Sequence, residues 1–136
     1  MRVYIAYRFI GEDPNVVRKK TEVVAQAVQK AGHTPFIFNR DIQQWGAVEL
    51  TLKQIYDQCL EHIRKHDMIL AFVSSNEKSE GMLVECGYAK GLHKKIIVAV
   101  HQSVEPHWLH QMADTLIEFD TIEELPGKIK EVLFHE

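Results

Sequence analysis

Apolar residues fall along this chain in short runs separated by longer amphipathic stretches. Five runs have strand length: Arg2–Tyr7, Thr34–Phe38, Asp67–Val73, Lys95–Val100 and Thr115–Phe119. The first is rich in β-branched and aromatic residues and reads as a central strand. The intervening stretches repeat at helical spacing. Asp13-Pro14 supplies an N-cap followed by a first-position proline. Val16, Val17, Val24, Ala27, Val28 and Ala31 then form one stripe, ended by Ala31-Gly32-His33. Leu50, Leu52, Ile55, Tyr56, Cys59, Leu60 and Ile63 predict a second helix over Val48–Lys65, after an irregular segment containing Trp45-Gly46. A third covers Glu80–Leu92, and Trp108–Ala113 has room for a short one. Thr121 and Glu124 match a capping box for a last helix whose inner face is Leu125, Ile129, Val132 and Leu133.

Strands that alternate with helices predict an α/β fold, a three-layer parallel sheet covered on both faces. For 136 residues, one domain over 1–136, the economical solution is a doubly wound, flavodoxin-like five-stranded sheet in the order 2-1-3-4-5. Its topological switch point lies between the carboxyl ends of strands 1 and 3, where open α/β sheets bind ligands. The loops Tyr7–Asp13 and Ser74–Gly81 flank that point, and Glu85 follows just inside the next helix.

Composition narrows the partners. Charged residues make up 26% and the net charge is −3, with no basic patch that would predict nucleic-acid binding. A phosphorylated small molecule stays compatible, because backbone N–H groups bind phosphate without a basic surface. Cys59 and Cys86 form no CxxC, which fits free thiols in a cytoplasmic protein. No apolar run approaches the roughly 18 residues that cross a bilayer. The eight histidines are scattered; His107 and His110 share a spacing of three, but no metal-ligand set completes them. Trp45 and Trp108 sit in irregular segments and suit base stacking, a subunit contact or core packing equally.

The switch-point residues admit two readings each. The loop Ser74-Ser75-Asn76-Glu77-Lys78-Ser79-Glu80-Gly81 can hold an anion at a helix N-terminus or simply cap the helix. It contains neither GxGxxG nor GxxxxGK[ST], so dinucleotide and P-loop readings lack support. Glu85, among Val84, Cys86, Tyr88 and Ala89, is either a solvated residue near a helix start or a buried carboxylate kept for use. Gly87 suits close helix-to-sheet packing. Tyr7 can orient a carboxylate or pack in the core; Arg8 can meet a phosphate or stay solvated.

The segments YIAYRF, HDMILAFV and SEGMLVECGYAKGLHKKIIVAV resemble the nucleoside 2-deoxyribosyltransferase family, which includes 5′-monophosphate N-glycosidases. The motif is Gly81, three residues, then Glu85-Cys86-Gly87-Tyr88-Ala89. The resemblance implies that Glu85 attacks C1′ of a nucleoside or nucleotide and that Tyr7 orients it. Transferases of the family carry Asp six residues before the glutamate, where this chain has Ser79. The monophosphate branch has Ser there, so the resemblance implies phosphate binding by Ser79; Arg8 and Gly81 are expected on the phosphate side by location. It gives Asp67 a structural role and predicts a homodimer or higher oligomer that completes the site. No cofactor or metal is implied. Glu80, Glu12 and Asp13 are candidates by location for the acid that serves the leaving base. The competing classes are a non-catalytic nucleotide sensor and a TIR-like or flavodoxin-like signalling domain.

Overall fold

Side-chain parity along the strands sorts the apolar residues into two cores. In the computed structural model, which describes residues 1–136, β1 (Arg2–Tyr7), β2 (Thr34–Ile37), β3 (Met68–Val73), β4 (Lys95–His101) and β5 (Thr115–Phe119) form one parallel sheet. Its order is β2-β1-β3-β4-β5, the doubly wound arrangement expected. All six residues of β3 are buried, as a central strand covered on both faces requires.

Successive strand residues point to opposite faces. Val3 and Ile5 join a core with α1 (Pro14–Lys30) and α6 (Leu125–Phe134), filled by Val24, Val28, Leu125, Ile129 and Leu133. Tyr4 and Ala6 join the opposite core, under α3 (Leu52–Lys65), α4 (Glu80–Gly91) and α5 (Trp108–Met112). Burying each such aliphatic side chain contributes about 1.5–3 kcal/mol, so parity is enforced strongly.

Local signals set the helix ends. Asp13 Oδ1 accepts from Asn15 N at 2.9 Å, and Pro14 opens α1. The helix stops before Gly32, whose φ of 90° suits glycine. The second amphipathic helix begins at Leu52 rather than Val48. Thr51 and Gln54 form a capping box there, with bonds of 3.2 and 2.9 Å, and fix the start. Phe38 leaves β2 for a short helix α2 (Phe38–Asp41), where Asp41 Oδ2 accepts from Ile37 N at 2.9 Å. The Thr121–Glu124 box does not form: the Glu124 carboxylate accepts from Asp120 N, and Pro126 sits in the first turn of α6. Asp67 takes a structural place, its Oδ2 accepting from Arg2 N at 2.7 Å. Gly87 is exposed, and a Cβ there would meet nothing within 4 Å, so close helix-to-sheet packing is not its role. No helix is long and apolar enough to cross a membrane.

Candidate active site

The diverging crossovers open a cavity of about 810 Å³ at the carboxyl ends of β1 and β3. Tyr7 and Arg8 close one side of it, Lys20 of α1 another, Ser74–Ser79 the floor loop, and Trp108 and Leu109 the far wall. Ser79 is the N-cap of α4 and accepts from Met82 N at 3.2 Å. That bond uses an oxygen lone pair and leaves the O–H proton free to donate to a ligand.

Arg8 lines the cavity but is paired with Glu12, four residues on. Gly11, at φ 83°, makes the turn that lets the guanidinium fold back: a Cβ there would lie 3.0 Å from Arg8 Nη2. Lys20 is half-buried in the same cavity with no carboxylate partner. The cation predicted for an anion is therefore already engaged, and a second one stands free.

Glu85 sits about one turn beyond Met82, half-buried on the face of α4 turned to the sheet. Its Oε2 accepts a short hydrogen bond from the hydroxyl of Tyr4. Burial pushes the Glu85 carboxyl up to about 7, against the lowering effect of that bond. Burial, and then the Glu85 charge, holds the Tyr4 hydroxyl well above its usual range. Cys59 of α3 lies beside the pair, its thiol pushed up to about 12 by burial and then by Glu85. Cys86, fully buried, is raised to about 12 for the same two reasons. Both thiols stay protonated at neutral pH and are poor nucleophiles.

The expected contact between Tyr7 and Glu85 is not made. Tyr7 is of opposite parity to Tyr4, and its ring packs on the α1–α6 core. Its hydroxyl donates to Asn39 Oδ1 at 2.5 Å and accepts from Asn39 N at 3.2 Å. Glu85 arrives from α4, on the other side of the sheet, and meets the tyrosine that points there. The tyrosine bonded to Glu85 is Tyr4. Strand parity was the available signal, since a helix after β3 that covers the Tyr4 face cannot reach an odd-numbered neighbour as easily. The structure thus gathers Tyr7, Arg8 and Ser79 around the cavity. Glu85 is not among the residues that line the cavity, though Met82 and Leu83 of the preceding turn are, and Gly81 is exposed on the first turn of α4. Of Glu12, Asp13 and Glu80, only Glu12 lines the cavity; Asp13 serves as the α1 cap.

A half-buried carboxyl pushed up to about 7, one helical turn from the cavity residue Met82, is a candidate catalytic group. Comparison with known proteins gives the chemistry. The family model for nucleoside 2-deoxyribosyltransferase matches residues 3–123. The chain belongs to the nucleoside 2-deoxyribosyltransferase family. No curated protein matches it. Among solved structures it is similar to the Clostridium botulinum CMP N-glycosidase BcmB, at 18% identity over 97% of this chain and 99% of that one, with a TM-score of 0.72. BlsM aligns with a TM-score of 0.77 and 21% identity, over 98% and 90% of the two chains. The 2-deoxyribosyltransferase of Bacillus psychrosaccharolyticus aligns with 0.66 and 20%, over 93% and 91%. At these identities the structures show a shared fold. Membership in the deoxyribosyltransferase family makes the chain an enzyme of N-glycosidic bond cleavage or transfer, acting on small-molecule nucleosides or nucleotides, rather than a sensor or signalling domain.

Proposed function

We propose that the protein cleaves the N-glycosidic bond of a nucleoside 5′-monophosphate, with Glu85 as nucleophile and Tyr4 as the residue that orients it. The observation that carries this reading is the Tyr4–Glu85 hydrogen bond, made one helical turn beyond the cavity residue Met82. The ionised Glu85 oxygen attacks C1′ as the bond to the base breaks, through an oxocarbenium-like transition state. The bonding electrons leave with the base nitrogen, which takes a proton. Water then attacks C1′ of the glycosyl ester and releases Glu85, with net retention. The carboxyls that line the cavity, Glu12, Glu77 and Glu105, are the groups placed to serve the leaving base, and Glu12 among them is paired with Arg8.

Ser79 favours hydrolysis of a phosphorylated substrate over transfer between free nucleosides. Its free O–H, Arg8 and Lys20 are suited to a 5′-phosphate. The protein acts as a homodimer or higher oligomer in this reading. Leu52, 75% exposed on α3, and the exposed Tyr56 and Val84 supply apolar surface for a second copy.

Incubation with deoxynucleosides, ribonucleosides and their 5′-monophosphates, with and without an acceptor base, tests the proposal. Base release from monophosphates alone is expected. Base exchange on unphosphorylated nucleosides would contradict the hydrolase assignment.

A further inference from the structure

A five-residue helix cannot hold itself together through its own hydrogen bonds, so α5 depends on what closes its ends. Two histidines close the first. His107 Nδ1 accepts from Leu109 N at 3.3 Å, and His110 Nδ1 accepts from His107 N at 3.1 Å. The rings meet edge to face, 4.8 Å apart at 84°. A backbone N–H only donates, so both Nδ1 atoms present lone pairs. Each ring is therefore neutral, with its proton on Nε2, while the box is closed. Serine, threonine or asparagine caps keep their acceptors at every ordinary pH, and imidazole does not.

The helix so closed is a wall of the switch-point cavity. His107, Trp108, Leu109 and Gln111 all line it. Leu109 is buried and anchors the turn, whereas Trp108 is 71% exposed. We propose that the His107–His110 box is an acid-sensitive latch that positions the α5 wall and releases Trp108 when the His107 Nδ1 takes a proton.

The charges around the latch set its direction. Burial lowers the His107 pKa, followed by His110 and by Lys78 from the loop after β3. The His107 half of the box thus stays closed until the pH falls below the ordinary histidine range, about 6.5. Glu77 and Glu105 line the same cavity, and Glu105 N is fixed by Asn76 Oδ1 at 2.7 Å. At the far end Lys90 reaches Met112 O at 3.5 Å and Asp114 at 3.4 Å, an anchor with no imidazole in it. Acid therefore frees the first turn and leaves the last one tied. The inference rests on the geometry of α5 and not on the reaction proposed above.

Trp108 fluorescence reports the latch in a Trp45→Phe background. Between pH 8 and 5 a spectral transition is expected with a midpoint below about 6.5. It should vanish in the added pair His107→Asn and His110→Gln, which keeps acceptors that do not titrate, with the far-ultraviolet circular dichroism unchanged. A transition that survives in that variant, or none in the Trp45→Phe parent, overturns the latch. In the unsubstituted protein, nitrogen-15 spectra at pH 7.5 should show both rings as Nε2–H tautomers. An Nδ1–H on either ring overturns it directly.

Discussion

The two faces of the sheet draw on the same strands and carry different groups. The α1–α6 face is mostly hydrocarbon, from Val3 and Ile5 to Ile129 and Leu133, and its buried polar groups, Thr21 and His33, are tied to the backbone carbonyls of Val17 and Leu133. The α3–α4 face buries Tyr4, Cys86 and His66 among its aliphatic residues and holds Glu85 against the Tyr4 hydroxyl. Phe36 stacks on His62 at 4.5 Å and on Tyr4 at 5.4 Å, so even the packing of Tyr4 is partly aromatic and polar. One face therefore supplies stability, and the other spends some of it on a carboxyl kept near its titration point.

The contrast breaks first where hydrocarbon is removed. Ile129→Ala on the α1–α6 face should cost about 2–4 kcal/mol in denaturant unfolding. The rate per folded molecule should not change. A variant that also shifts the pH–rate profile would show that the faces are coupled.

The opposite substitution is Glu85→Gln. A carboxyl raised from 4.5 to about 7 binds more protons folded than unfolded between those values. Its contribution to stability is full below about 4.5 and is lost as pH rises through about 7. Thermal unfolding of Glu85→Gln should therefore show a gain of about 1–3 kcal/mol at pH 8 and little change at pH 4. Equal stability at pH 8 would mean that burial does not strain this carboxyl.

The tyrosines sharpen the comparison further. Tyr4→Phe removes a bond that lowers the Glu85 pKa. It should cut kcat/KM about 10- to 100-fold and move the acid limb of the pH profile to higher pH. Tyr7→Phe, on the other face and bonded to Asn39, should change kcat/KM less than about threefold and leave that limb in place. The reverse ranking would restore Tyr7 to the role first given to it.

Much of this was legible in the chain. The apolar runs gave all five strands and their order, and Asp13-Pro14 gave the start of α1, because burial and capping act locally and strongly. The Thr51–Gln54 box starts α3 at Leu52, where apolar spacing alone placed the start at Val48, and the similar Thr121–Glu124 pattern goes unused once Glu124 finds Asp120 N. Gln44 and Trp45 adopt φ of 49° and 54°, a conformation their residue types do not announce. The ion pair of Arg8 with Glu12 depends on the turn at Gly11 and the shape of the cavity, which no spacing rule encodes. For the site, the position of Glu85 was visible and its partner was not. Two tyrosines three residues apart were available, and only the side of the sheet that α4 covers decides between them.

The central claim is that Glu85 itself bonds to the sugar. Acid quenching during turnover of a deoxynucleoside 5′-monophosphate, followed by peptide mass analysis, tests it directly. A deoxyribose phosphate adduct on the peptide that contains Glu85, absent from Glu85→Gln, is the predicted result. An adduct on another residue, or turnover undiminished in Glu85→Gln, would contradict it.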